Sequence, residues 1–95
     1  MKFGANHHSP MVSIPKPGYP SEARAQGIHG TVTVLLLVKT RTGGVEQVCA
    51  LEGDELLVAA AKEAGLRVRF DPYSSSIQER FSYAEEIVTY QFVAP

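Results

Sequence analysis

The stretch 19-YPSEARAQGIHGTVTVLLLV-38 decides the fold. Pro20 suits the first position of a helix, where its missing N–H would have no partner anyway. Gly27 can adopt the left-handed backbone that stops the helix. The helix is thus about two turns long, too short to stand without packing. Thr31 to Lys39 then alternates as a strand. Val32, Val34, Leu36 and Val38 fall on one face, and Thr31, Thr33, Leu35 and Leu37 on the other.

Thr42-Gly43-Gly44 supplies a turn that tolerates positive φ, so Val45 to Glu52 reads as the return strand of a hairpin. A second helix is expected from Gly53 or Asp54, whose carboxylate can cap the first turn. Leu57, Ala60, Ala61 and Ala64 lie on one helical face. Val68 extends that face, whereas Gly65 argues for an earlier stop and Arg67 to Phe70 alternates like extended chain. The residues leave both readings open. Asp71-Pro72 ends the element, and Tyr73 to Tyr83 reads as polar loop with room for a short strand near Phe81. Ile87 to Val93 is the last strand, with Val88, Tyr90 and Phe92 on one face.

The order helix, strand, strand, helix, strand predicts an α+β fold. Hairpin strands are antiparallel, and a right-handed crossover places the last strand beside the first. The expectation is a three-stranded antiparallel or mixed sheet of order 2-1-3, with two helices packed on one face. Residues 1–18, with three prolines and two glycines, read as a flexible lead-in, and 19–95 as the domain.

Composition narrows the function. The 95 residues carry nine Lys and Arg against ten Asp and Glu, a formal net charge of −1. Nucleic acid is a poor partner for such a chain, because phosphate binding needs a concentrated basic surface. A single cysteine, Cys49, excludes an intrachain disulfide and a CxxC metal site. No stretch approaches the ~20 apolar residues of a membrane span, and the N-terminus lacks the apolar segment of a signal peptide. These features predict a soluble chain, either cytosolic or part of a longer exported protein.

No catalytic constellation stands out. His7, His8 and His29 lack an organised ligand spacing. Cys49 has no base placed beside it by the sequence. Glu85 and Glu86 point to opposite faces of a strand, so they do not readily serve one site. Asp54-Glu55 is helix-start chemistry, and Arg67 and Arg69 read as solvated. No catalytic residue, metal site or cofactor is therefore expected. The outer face of the sheet is more suggestive. Leu35, Leu37, Leu51 and Ile87, with Cys49, fall opposite the helices, where a solvated face normally turns polar. Two readings remain: a surface covered by the N-terminal arm or the 73–83 loop, or the contact face of a homodimer.

Tyr19, Pro20, Ala23, Arg24, Gly27, Gly30, Val32 and Val34 fit the pattern Y-P-x-x-A-R-x-x-G-x-x-G-x-V-x-V. Leu57, Ala61, Ala64, Val68, Phe70 and Pro72 follow a second pattern, L-x-x-x-A-x-x-A-x-x-x-W-x-F-x-P, with Val68 at its tryptophan. In both runs, and in a terminal strand ending on Phe92, the chain resembles the TonB C-terminal domain family over about Pro15 to Val93. Gly53-Asp54-Glu55 replaces the small-residue loop usual in that family.

The resemblance implies a non-enzymatic periplasmic binding module of a TonB-type energy transducer. Such a domain adds a peptide segment of an outer-membrane transporter to its sheet edge. An inner-membrane motor complex, reached through an N-terminal anchor that these residues do not include, then drives uptake of iron chelates or similar nutrients. Strand addition suits a free edge, whose backbone groups give affinity while side chains give selectivity. In the order 2-1-3 the last strand is such an edge, so Val88, Thr89, Tyr90, Gln91 and Phe92 are the expected partner-binding residues. The alternative is a self-associating envelope or regulatory domain of the same fold with no transporter partner.

Overall fold

The computed structural model describes residues 2–3 and 11–93. In chain order the elements are β1 (Lys2–Phe3), β2 (Met11–Ser13), α1 (Ser21–Ala25), β3 (Gly30–Lys39), β4 (Val45–Glu52), α2 (Glu55–Leu66), β5 (Arg69–Phe70), α3 (Ser75–Arg80) and β6 (Tyr83–Phe92). The main sheet runs β1-β6-β3-β4, and β2 pairs with β5 in a separate ribbon. The expected order 2-1-3 is present as β4-β3-β6, with β3 antiparallel to both neighbours. β1 adds a fourth strand that the sequence reading did not anticipate.

Strand alternation places the core. Val32, Val34, Leu36 and Val38 of β3 are fully buried, as are Val88 and Tyr90 of β6. Leu57, Ala61 and Ala64 of α2 close over them together with Ala23 and Val68. Each fully buried aliphatic side chain of this kind contributes about 1.5–3 kcal/mol. α2 packs on β3 and β4, and α1 contacts α2.

The helix ends follow local chemistry. Pro20 is the N-cap of α1. Gly27 takes φ 69° just beyond the helix, in the left-handed region expected of it. Asp54 caps α2, its side chain accepting a hydrogen bond from the backbone N–H of Leu56 at 2.9 Å. α2 runs through Gly65 and stops at Leu66. Gly65 is thus a helical residue whose missing side chain lets α2 settle against Leu36 and Val48. Val68 lies beyond the helix, and Arg69–Phe70 is extended.

Two segments depart from expectation. Tyr73 to Tyr83 contains a helix, α3, capped by the Ser74 hydroxyl on the N–H of Ile77. Within the lead-in expected to be flexible, Lys2–Phe3 and Met11–Ser13 pair as strands.

The hairpin turn meets the chain after α2 at close quarters. Phe70 donates its backbone N–H to the Gly43 carbonyl at 2.9 Å, and Gly44 bridges Arg69. Gly43 has φ 77°, and a Cβ there would lie 1.9 Å from the Phe70 carbonyl oxygen. The left-handed backbone alone costs a residue with a side chain about 1–2 kcal/mol, and the collision adds to it. Gly43→Ala should therefore lower unfolding stability by more than about 2 kcal/mol, read from the urea midpoint.

Candidate functional site

β6 is built to be held on one side. All ten of its residues pair with β3, from Gly30 opposite Phe92 to Lys39 opposite Tyr83. On its other side, among the described residues, only Val88 and Thr89 are paired, with Phe3 and Lys2 of β1. The border expected to be free from Val88 to Phe92 is therefore not free at its first two residues. β1 occupies them because it runs antiparallel along the last open ladder of the sheet. Tyr90, Gln91 and Phe92 have no strand beside them on that side among the described residues.

Alternation sorts the five predicted residues. Val88, Tyr90 and Phe92 point into the core, Thr89 is half-buried on the opposite face, and Gln91 is exposed. They share one strand border rather than one pocket. At its end lies a cavity of about 270 Å³ lined by Lys16, Pro17, Tyr19 and residues 90–93. Tyr19 shapes it. Its ring packs edge-on against Phe92 at 5.6 Å, its hydroxyl donates to the Ile28 carbonyl, and the Arg24 guanidinium sits 5.2 Å from the ring centroid.

The second candidate surface is the sheet's outer face. Leu35 lies between Cys49 on β4 and Ile87 on β6. Leu35, Leu37 and Ile87 are half-buried, and Leu51 is 55% exposed at an irregularity in the β3–β4 register. Leu35, Leu37, Gln47, Cys49 and Glu85 line a shallow depression of about 160 Å³. The depression is lined by sheet residues alone.

Sequence reasoning missed one buried polar pair. Glu86 is 1% exposed on the inward face of β6, and the Tyr73 hydroxyl donates to its Oε2. Its Oε1 has no hydrogen-bond partner among the described residues. The opposite facing of Glu85 and Glu86 was legible, but the partner Tyr73 lay in a stretch read as loop. Nearby, buried Thr40 donates its hydroxyl toward the Phe81 and Ser82 carbonyls, at 2.7 and 3.1 Å, and accepts the Tyr73 N–H at 2.9 Å.

The remaining candidates stay apart. Cys49 is an exposed free thiol. His29 is exposed, with its Nδ1 3.1 Å from the Gly27 carbonyl. His7 and His8 lie outside the described residues. Among the described residues no cluster of His, Cys, Asp and Glu could hold a metal ion. Arg67 makes an exposed i,i+4 ion pair with Glu63 at 3.2 Å, and Arg69 donates to the Leu66 and Val68 carbonyls.

Comparison with known proteins fits this architecture. Residues 15–92 match the family described as Gram-negative bacterial TonB protein C-terminal. The chain belongs to that family. The TonB C-terminal domain of Pseudomonas aeruginosa, solved in solution by NMR, shares the fold at 22% identity with a TM-score of 0.65. The match covers 98% of this chain and 95% of that one. The comparison with curated proteins gives no match.

In this TonB C-terminal domain, Val68 stands where the resemblance implies tryptophan, and it is fully buried beneath the end of α2. Phe70 and Tyr73, also buried, join the same core.

Burial raises the pKa of the Tyr73 phenol above its ordinary 10.0, and the hydrogen bond and charge of Glu86 push it the same way. Burial also raises Tyr90, with Arg67 opposing the shift. A group raised on folding stabilises the native state below its unfolded pKa, and that contribution is lost as pH climbs past it. Thermal melts should thus be unaffected by these groups up to about pH 10 and fall above it. Tyr73→Phe should start less stable at neutral pH, by about 1–3 kcal/mol for the carboxyl left undonated, and lose less on the alkaline side.

Proposed function

We propose that this chain is the periplasmic docking module of a TonB-type energy transducer and that it works without enzymatic chemistry. Its task is to grip an extended peptide segment of an outer-membrane transporter by adding it as a strand to β6. Through that grip an inner-membrane motor complex would drive uptake of iron chelates or similar nutrients.

One observation carries the reading: among the described residues the outer border of β6 is paired at only two positions while its inner border is paired at ten. In a strand, backbone groups alternate between the two neighbours, so an underused border presents N–H and C=O groups in a row. An added segment satisfies them, with a net gain of about 0.5–1.5 kcal/mol per hydrogen bond. The inner ladder keeps β6 straight and in register, so little ordering is needed on the protein's side. The cavity beside Tyr19 and Phe92 offers a place for one side chain of that segment. Thr89, half-buried, and exposed Gln91 lie on the opposite face.

Amide NMR titration with a synthetic peptide copied from the coupling segment of an outer-membrane transporter tests the reading. Shifts should concentrate in residues 84–92, with smaller ones at Tyr19. Shifts confined to the α2 surface, or no binding by any such segment, would rule it out.

The outer face supports a second reading, self-association. Leu35, Leu37, Ile87 and Leu51 form an apolar strip with Cys49, in which Leu35 lies between Ile87 and Cys49. Two copies packed face to face would bury it, as in a sheet sandwich. Sedimentation over a range of concentrations should then show a dimer, and Leu35→Lys with Leu37→Lys should return it to monomer. A monomer throughout would leave the strip an ordinary surface.

A further inference from the structure

The N-terminal strand lies on the same border as the proposed docking strand, and in the same molecule. β1 flanks β6 on the side away from β3, with Lys2 opposite Thr89 and Phe3 opposite Val88. We propose that β1 is a built-in competitor for this border: Lys2–Phe3 holds the backbone groups of Val88 and Thr89 that an incoming strand must take, so docking proceeds by strand exchange. The inference rests on the reading of β6 as the docking strand.

Three features support it. The first is position. Val88 and Thr89 sit within β6 rather than at its tip, so a longer segment cannot run along the whole border while β1 is in place. The second is strength. A ladder of two residues carries few hydrogen bonds, each of modest net value, and is easily displaced by a longer segment that makes more. The third is tethering. β2 is paired to β5 at Arg69–Phe70, and only residues 4–10 separate β1 from β2. A short link keeps the competing strand at a local concentration in the millimolar range. A weak ladder is therefore occupied most of the time without becoming a permanent block.

The arrangement has a physical purpose apart from any partner. An unpaired sheet border invites pairing with other chains, and covering it with a short strand is one way proteins suppress that. β1 closes the middle of the border and yields to a segment that matches more of it. Specificity follows: a segment must supply more than the two-residue ladder supplies, so short or poorly matched strands are rejected.

The test uses the 95-residue chain with Lys2→Pro and Phe3→Pro together. Adjacent strand residues face opposite neighbours, so the double change removes whichever N–H is directed at β6. The buried core cluster of the described residues draws on Ala23 to Phe92, and an unchanged thermal melt and amide spectrum check that the variant keeps the fold. Two quantities are read on wild type and variant: amide hydrogen exchange at Val88 and Thr89, and affinity for the transporter-derived peptide by calorimetry. Exchange at whichever of the two faces β1 should quicken in the variant, and the peptide should bind about three- to tenfold tighter, the equivalent of about one net hydrogen bond. Equal affinity of the two chains would overturn the competitor role alone and leave β6 as the docking strand. Binding by neither chain would remove the docking reading and the competition with it. Unchanged exchange at both residues would show that β1 does not hold the border.

Discussion

The antiparallel ladder between β3 and β6 is the constraint on which the molecule depends. It joins residues 30–39 to residues 83–92, the two longest strands, across more than forty intervening positions. Its inward pairs, Val32 with Tyr90 and Val34 with Val88, form the floor on which α2 rests. Without the ladder the β3–β4 hairpin has a half-covered apolar face and α2 has too narrow a platform. Such a long-range pairing forms only after a large loop is closed, so local helices and the hairpin must be held loosely until it does. The same ladder gives β6 its straightness and thereby defines the border beyond it.

The ladder also explains the odd chemistry at its Tyr83 end. Leu36 faces Glu86 across it, so a carboxyl group projects into the helix-covered side. Burying such a group without a cation is expensive unless donors reach it. Tyr73 supplies one, positioned by the backbone bond between its N–H and the Thr40 carbonyl. Thr40 in turn gathers the start of β6 through the Phe81 and Ser82 carbonyls. The polar cluster therefore orders the segment that brings the chain from α2 back to the sheet, and buried polar contacts are directional where apolar ones are not.

Much of this was legible in the residues. Alternation in Thr31 to Lys39 gave the faces of β3 correctly, because each valine on one side had a threonine or leucine on the other. The spacing of Leu57, Ala61 and Ala64 located α2, and Asp54 marked its start. What escaped was weakly encoded. α3 is six residues long and opens on serines, which favour turns as readily as helix starts. Its cap at Ser74 was the available signal. β1 is two residues long, and no local pattern announces a pairing with a strand more than eighty positions away. The location of β6 at the margin of the three-stranded core could thus be read from topology, whereas its partial occupancy could not. The burial of Glu86 depended on Tyr73, and a distant phenol leaves no trace in a strand's own periodicity.

The lone thiol has a use that follows from where it sits. Cys49 is exposed on β4, with β3 between it and β6. Neighbouring strands are spaced ~4.8 Å apart, which puts Cys49 roughly 10 Å from the margin where Lys2 and Phe3 pair. A spin label or dye attached there occupies one defined place in every molecule, since the chain holds no other cysteine. From that fixed vantage, distances to a second marker would report traffic at the far rim without touching it.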